Sequence, residues 1–271
     1  MPAPIAVSKT AASPLGALLR QWRASRRLSQ LELSLLSGVS ARHLSYVETG
    51  RAQPSRELLR VLADALDVPL RERNALLVAA GYAPHFRDSP LDAPELAVMR
   101  RAIEVTLAHQ EPFPAFVTDR CWNVLMANAA MGRVLGGLKP GGPRHANIVR
   151  QVFDPDDMRP HIENWDEVAG DLLRHLSHQV AQHPTDEAAR ALLDEALAYP
   201  DVPGRLRVRD AAVRPLPVLV TTFRAGDRRL SFFSTLTRFA SPADMALEET
   251  SVECMHPADD ETRRYCVELA G

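Results

Sequence analysis

The chain has almost no lysine: Lys9 and Lys139 are the only two in 271 residues, so nearly all of its 32 basic residues are arginine. Neither lysine stands in a glycine-rich phosphate loop. No G-x-G-x-x-G, G-x-S-x-G or H-E-x-x-H occurs either, which removes the common signatures of nucleotide, acyl-transfer and zinc-protease chemistry. An enzymatic reading therefore lacks a supporting motif. No apolar run approaches the roughly 18 residues of a membrane span. Three cysteines (Cys121, Cys254, Cys266) make an odd number without a C-x-x-C pair. That usage suits a reducing, cytoplasmic setting and reads as packed, inert thiols rather than a disulfide framework or redox sensor. The first residues, "MPAPIAVSKTAASP", have one lysine and interrupting prolines, so residues 1–14 are expected to be a short disordered arm rather than a signal peptide.

What is present is ordinary in bulk: 46% hydrophobic and 24% charged residues, enough chain for two domains. The net charge of −2 hides an asymmetry. Residues 15–82 hold ten arginines against six acids, +4; with Lys9 in the arm, residues 83–271 are left with −7. A basic front on an acidic body points to a polyanionic partner for the front alone.

From Leu15 to Tyr82 apolar residues recur at helical spacing: Leu15, Leu18, Leu19 and Trp22; Leu31, Leu33, Leu35 and Leu36; Leu44 and Val47; Leu58, Leu59, Leu62 and Leu66; then Leu76, Leu77 and Val78. Ser29, Ser40 and Ser55 stand at N-cap positions, and Gly38, Gly50 and Gly81 where helices should stop. The reading is about five short helices over 15–82. Residues 83–93, "APHFRDSPLDA", form the linker, and 94–271 the second domain.

Within the front domain, "SQLELSLLSGVSARHLSYVETG" is two short helices joined through one glycine, the helix-turn-helix geometry. Ser34 is small enough for a close crossing, Gly38 makes the turn, Val39 fills the gap beneath it, and Leu44 and Val47 pack back. A plain helical hairpin satisfies the single glycine but not the full set. The stretch "LSQLELSLLSGVSARHLSYVETGRAQPSRELLRVLADALDV" resembles the XRE family of phage-repressor and Cro type, with Gln30 and "VETGRAQPS" as hallmarks. The resemblance implies an all-α, lambda-repressor-like domain that binds a palindromic operator as a homodimer, on half-sites about 34–36 Å apart. It places the helix capped by Ser40 in the major groove, with Ala41, Arg42, Ser45 and Tyr46 facing it. Arg42 suits the O6/N7 edge of guanine, Ala41 a thymine methyl, and Tyr46 a base or phosphate. Gln30, His43, Arg51 and Arg56 read as phosphate contacts, Arg20 and Arg23 as solvated charges, and Glu48 as support for the turn after its helix.

The second domain changes pattern. "PAFVTDRCWNVLMAN" alternates as a hairpin with Trp122, Val124 and Met126 on one face, and Asn128 caps the helix that follows. The middle is helical. "LPVLVTTF", "RRLSFFSTLTRF" and "LEETSVECMH" read as strands, the first two joined by "RAGDR", and "PADDETRRYCVEL" as a closing helix. This predicts a mixed sheet of about five strands with helices on one face, an α+β domain. His175, His178 and His183 sit near one another without a further ligand at metal spacing.

The ordered segments "RDSPLDAPELAVMRRAIE", "PAFVTDRCWNVLMANAAMGRVLG", "NIVRQVFDP", "NWDEVAGDLLRHL" and "STLTRFASPADMALEETSVECMHPADDETRR" are similar to the ligand-binding domain of MmyB-like regulators. The resemblance implies a PAS-like fold, a fatty acid or similar apolar ligand, and no cofactor. A haem- or flavin-loaded sensor is the alternative, which predicts a coloured protein. Candidate ligand-facing residues are Phe116, Trp122, Val124, Met126, Met131, Leu135, Val152, Phe153, Trp165, Leu172 and Leu176, with Asn128 or Arg150 for a carboxylate head. One departure is "VRPLPVLV", where the family pattern has a histidine before the proline and a glycine after it.

Overall fold

A computed structural model describes residues 13–183, 185–202, 218–240 and 242–271. Residues 1–12 of the expected arm and most of "VRPLPVLV" lie outside the described residues, and Pro14, the last residue assigned to the arm, opens the first helix. The chain divides into two compact units, Met1–Arg87 and Asp88–Gly271.

The first unit is built from α1 (Pro14–Ser25), α2 (Gln30–Ser37), α3 (Ala41–Glu48), α4 (Arg56–Ala65) and α5 (Leu70–Ala79). Serine starts three of these helices: the side chains of Ser29, Ser40 and Ser55 accept from the amides of Glu32, His43 and Leu58. Ser29 and Glu32 close a reciprocal box, because the Glu32 carboxylate also accepts from the Ser29 amide. Each such cap is worth about 1 kcal/mol. Gly38 ends α2 at φ 70°, a left-handed conformation costly for a residue with a Cβ. Trp22, Leu33, Leu44, Val47, Leu59, Leu62, Leu66 and Leu76 make the core. The leucine stripe expected on α2 does not form. Leu33 is buried, but Leu31, Leu35 and Leu36 are 63%, 78% and 63% exposed, since an eight-residue helix packs along one line only.

The linker starts later than 83. Asn74 on α5 accepts from the amides of His85 and Phe86 and donates to the Phe86 carbonyl, which ties this stretch to the first unit.

The second unit begins with a 3-10 turn (Pro94–Leu96) and α6 (Ala97–His109). The hairpin β1 (Ala115–Thr118) and β2 (Val124–Ala127) follows, then α7 (Ala129–Leu138), α8 (Ile148–Phe153), α9 (Trp165–Gln182) and α10 (Glu187–Ala198). The chain returns as β3 (Val220–Ala225), β4 (Arg228–Thr237), a short α11 (Met245–Glu249), β5 (Ser251–Pro257) and α12 (Asp260–Ala270). The "LEETSVECMH" strand is therefore shortened at its start. Asp244 caps the Ala246 amide, and residues 247–249 complete a helical turn before β5.

The five strands stand in the order β2-β1-β5-β4-β3, and every described pairing is antiparallel. This replaces the mixed sheet expected from sequence: β1 and β4 run one way and β2, β3 and β5 the other, so neighbouring strands always alternate. Both faces are covered. Ile103 and Leu107 of α6 pack against Ala115, Val117, Val252 and Cys254 on the outer face. On the inner face Phe116, Leu230, Phe232 and Met255 meet Met131, Val134 and Leu138 of α7 and Cys266 of α12. A third cluster joins α8, α9 and α10 through Phe153, Trp165, Leu172, Leu176 and Leu192.

Candidate nucleic-acid interface and second unit

Recognition of a duplex by α3 requires its first turn to be open and its back to be fixed. Leu44 and Val47 are buried under it, while Arg42 is exposed and Ala41, His43, Ser45 and Tyr46 are half-buried. Ser40 caps the helix through the His43 amide at 3.3 Å, so its hydroxyl oxygen already serves the backbone. The Arg42 Nε donates to the Tyr46 hydroxyl at 3.0 Å, and the guanidinium lies 5.4 Å from that ring's centroid. This brace restrains a flexible side chain and keeps its two terminal nitrogens for a partner. Arg51 is exposed, and Arg56 lies 5.0 Å over the ring of Tyr82.

The back of α3 is held by Glu48, which is 2% exposed. Its carboxylate accepts from Arg23 Nε at 2.7 Å, Arg23 Nη2 at 3.0 Å and Gln30 Nε2 at 2.8 Å, and its carbonyl accepts from Arg20. Burial works against the charge, but the bonds from Arg23 and Gln30 outweigh it and hold the carboxyl below its ordinary range. The same bond, ahead of the opposing burial, raises the Arg23 guanidinium. Glu48 thus ties α3 to α1 and α2 and does not brace the turn after its own helix. Arg20 and Arg23 are structural rather than solvated, and Gln30 spends one amide hydrogen inside the protein. Gly16 makes this closeness possible, because a Cβ there would lie 2.1 Å from the Glu48 carbonyl oxygen.

In the second unit the ligand-facing candidates do not share one wall. Phe116, Val124, Met131 and Leu135 belong to the inner-face cluster. Trp122, Val152, Phe153, Trp165, Leu172 and Leu176 belong to the α8–α10 cluster. Met126 is on the opposite side, packed with α6 and lining a groove of about 240 Å³ with Leu91, Asp92, Arg100 and Leu125. The reason is a register shift between Val117 and Thr118, which turns Val124 inward while Met126 stays out. Asn128 is fully engaged: Oδ1 accepts from the Ala115 and Met131 amides at 3.0 Å each, and Nδ2 donates to the Phe113 carbonyl at 2.8 Å. Arg150 pairs bidentately with Glu195 at 2.8 and 2.9 Å. Neither is poised for a head group.

Two features escaped the sequence reading. Arg120, in the β1–β2 turn, pairs with Asp186 and Glu249, and Gln179 donates to its carbonyl at 2.8 Å, which joins the hairpin to α9, α10 and α11. Glu253, in the middle of β5, faces the inner side of the sheet; burial raises its pKa, and the Ser234 hydrogen bond and the charge of His175 offset this only in part. Alternation around it, with Met255 on the same face, was the signal available. His175 pairs with Asp171, and the described residues contain no group of three side chains placed to hold a metal. Among the described residues no helix is long and apolar enough to cross a membrane.

Comparison with known proteins yields two family matches. Residues 14–76 match a helix-turn-helix domain, and residues 99–269 match the MmyB-like transcription regulator ligand binding domain. The uncharacterized HTH-type transcriptional regulator RghRB of Bacillus subtilis (strain 168) is 34% identical over 84 residues. That alignment covers 31% of this chain, which spans 58% of the relative's length. A solved structure titled "Structure of an RNA-binding Light-Oxygen-Voltage Receptor" aligns with 95% of this chain and 63% of its own at 14% identity. Its TM-score of 0.26 is too low to carry an argument.

Proposed function

Because the chain belongs to the MmyB-like transcription regulators, DNA-binding proteins with a helix-turn-helix head and a PAS-like second domain, we propose that its second domain binds a small apolar molecule, fatty acid-like in character, and that occupancy biases operator binding. The observation that carries this reading is a seam. The inner-face cluster and the α8–α10 cluster are packed separately and share Ile148 and Phe223 at their junction. An apolar chain inserted there parts two cores without breaking either, and it gains apolar burial worth about 25 cal/mol per Å². It shifts the DNA-binding equilibrium only by its differential affinity for the two states.

In the head, Ser40 caps α3 and Ala41, Arg42, Ser45 and Tyr46 face the major groove, with Gln30, His43, Arg51 and Arg56 toward phosphates. A +4 head binds weakly alone, so two copies act on a palindromic operator. The matched families are regulatory rather than catalytic, and the chain acts as a regulator, not an enzyme.

The test is mass spectrometry of the purified protein, native and then after organic extraction, followed by operator titration before and after extraction. Release of about one apolar molecule per chain, with a changed operator affinity, supports the reading. A coloured extract would assign the domain to haem or flavin instead, and an empty protein with unchanged affinity removes the sensor role.

A further inference from the structure

The arginines of the head are held in two different ways. Arg20, Arg23, Arg26, Arg60 and Arg73 donate to carbonyls or carboxylates of the head itself, so their charge is engaged within the protein. Arg42 and Arg56 lie instead against Tyr46 and Tyr82, the two tyrosines of residues 15–82, at 5.4 and 5.0 Å from the ring centroids. An aromatic ring holds a guanidinium without neutralising it.

The two pairs differ in one respect. The Tyr82 hydroxyl donates to the Pro54 carbonyl at 3.0 Å, so it is the ring that supports Arg56. The Tyr46 hydroxyl accepts from Arg42 Nε at 3.0 Å, which adds direction to the ring contact. Side chains on a helix lean toward its N-terminus, so Tyr46 leans back over Arg42 one turn earlier. Tyr46 is itself fixed: its carbonyl accepts from the Arg51 and Ala52 amides at 2.7 and 3.1 Å, and Val47 beside it is buried in the core.

We propose that Tyr46 is the positioning residue that makes Arg42 selective for guanine. This rests on the reading that α3 enters the major groove with Arg42 toward the bases, and it adds what aims the guanidinium. A guanidinium offers parallel N–H pairs along two edges, Nε with one Nη and the two Nη together. The bond to Tyr46 occupies Nε and leaves the Nη pair as the open edge. In the major groove only guanine sets two acceptors, N7 and O6, side by side. Adenine pairs an acceptor with a donor, thymine has one acceptor beside its methyl, and cytosine has a donor. A freely turning Arg42 would also reach phosphate oxygens, which carry no sequence information. The brace fixes the direction of the fork before DNA arrives, so less rotamer freedom is lost in the complex. The Tyr46 hydroxyl thus acts through Arg42 and not on the DNA. Arg56, held without a directional bond, suits a phosphate contact.

The test starts with the full-length chain and a pool of random-sequence duplexes, from which the protein selects its consensus half-site. The unaltered protein, Arg42→Ala, Tyr46→Phe and the double variant are then titrated by fluorescence anisotropy. The panel carries each of the four bases at every position of one half-site. The expected result is a guanine preference at one position, lost in Arg42→Ala and reduced about three- to tenfold in Tyr46→Phe, the range of a single hydrogen bond. Tyr46→Phe keeps the ring, so its melting midpoint is unchanged and its affinity for duplexes without the consensus stays within about twofold. In the Arg42→Ala background Tyr46→Phe has no further effect on base preference. A full guanine preference in Tyr46→Phe overturns the proposal while Arg42 remains a base contact. An effect of Tyr46→Phe that persists without Arg42 also overturns it, because the hydroxyl then meets the DNA itself. A uniform loss across the panel in Arg42→Ala places Arg42 on phosphate and removes the base-contact reading and the proposal together. Selection of no sequence removes both as well.

Discussion

Replacing Glu48 by alanine tests how the DNA-binding head is held together. The side chain is 2% exposed and accepts three hydrogen bonds, from two nitrogens of Arg23 and from Gln30. Removing one partner of a buried ion pair costs about 3–5 kcal/mol, because the other charge is left unpaired. Arg23 is 18% exposed and donates also to the Leu28 carbonyl, so water and that bond recover part of the loss. About 2–3 kcal/mol is expected to remain. For a domain of this size that lowers the melting midpoint by about 10–20 °C. The assay is thermal unfolding of the full chain followed by circular dichroism, within a double-mutant cycle against Arg23→Ala. A coupling energy of about 1.5 kcal/mol or more supports the network. Additive single effects, or a loss below about 0.5 kcal/mol, would falsify it. The pH dependence has a defined sign. The folded pKa of Glu48 is lowered, so its contribution is present above the unfolded carboxylate pKa and is lost as pH falls through the folded value. Acid therefore destabilises the unaltered head, and Glu48→Ala flattens that dependence.

Arg42→Ala is expected to relax sequence preference at one base position of the operator, at a cost of about 1–3 kcal/mol, read by anisotropy titration against a panel of single-base variants. A uniform loss across the panel would assign Arg42 to phosphate instead. Asn128→Ala removes a helix cap and strands the Ala115 amide and the Phe113 carbonyl, for a loss of about 2–3 kcal/mol in denaturant unfolding of the second unit. An unchanged midpoint would refute the cap. Asp67 holds φ 48° with its side chain 98% exposed, and Asp67→Gly is expected to stabilise the head by about 0.5–1 kcal/mol. Any drop in its melting midpoint counts against the strain argument.

The head was legible because its rules are local. Ser29, Ser40, Ser55 and Gly38 act within four residues of themselves, and a cap or turn is the same in any fold. Glu48 was misread because its partners are 18 and 25 residues away, a separation no helical period encodes. Leu31, Leu35 and Leu36 misled for the opposite reason: helical spacing shows that they share a side, not that anything covers it. In the second unit the strands and their hairpins could be read from alternation. The bulge at Val117 and Thr118 could not, and it alone moved Met126 off the face assigned to it. Glu253 was hidden because a charge within a strand is ordinarily taken as the solvent side, and only the two-sided cover of β5 reverses that.

The strand order β2-β1-β5-β4-β3 has a consequence for synthesis on the ribosome. The first strand made, β1, pairs with the last, β5, about 135 residues later, so the centre of the sheet cannot close until residues 251–257 have emerged. The five helices of the head lie within the first 87 residues, which form one compact unit, and are synthesised long before. The growing chain thus completes its helix-turn-helix unit first and its second unit last. A product terminated before β5 would keep the residues of the head and lose the centre of the sheet; under the proposed function, premature release then leads to DNA binding without ligand control rather than to simple loss of function.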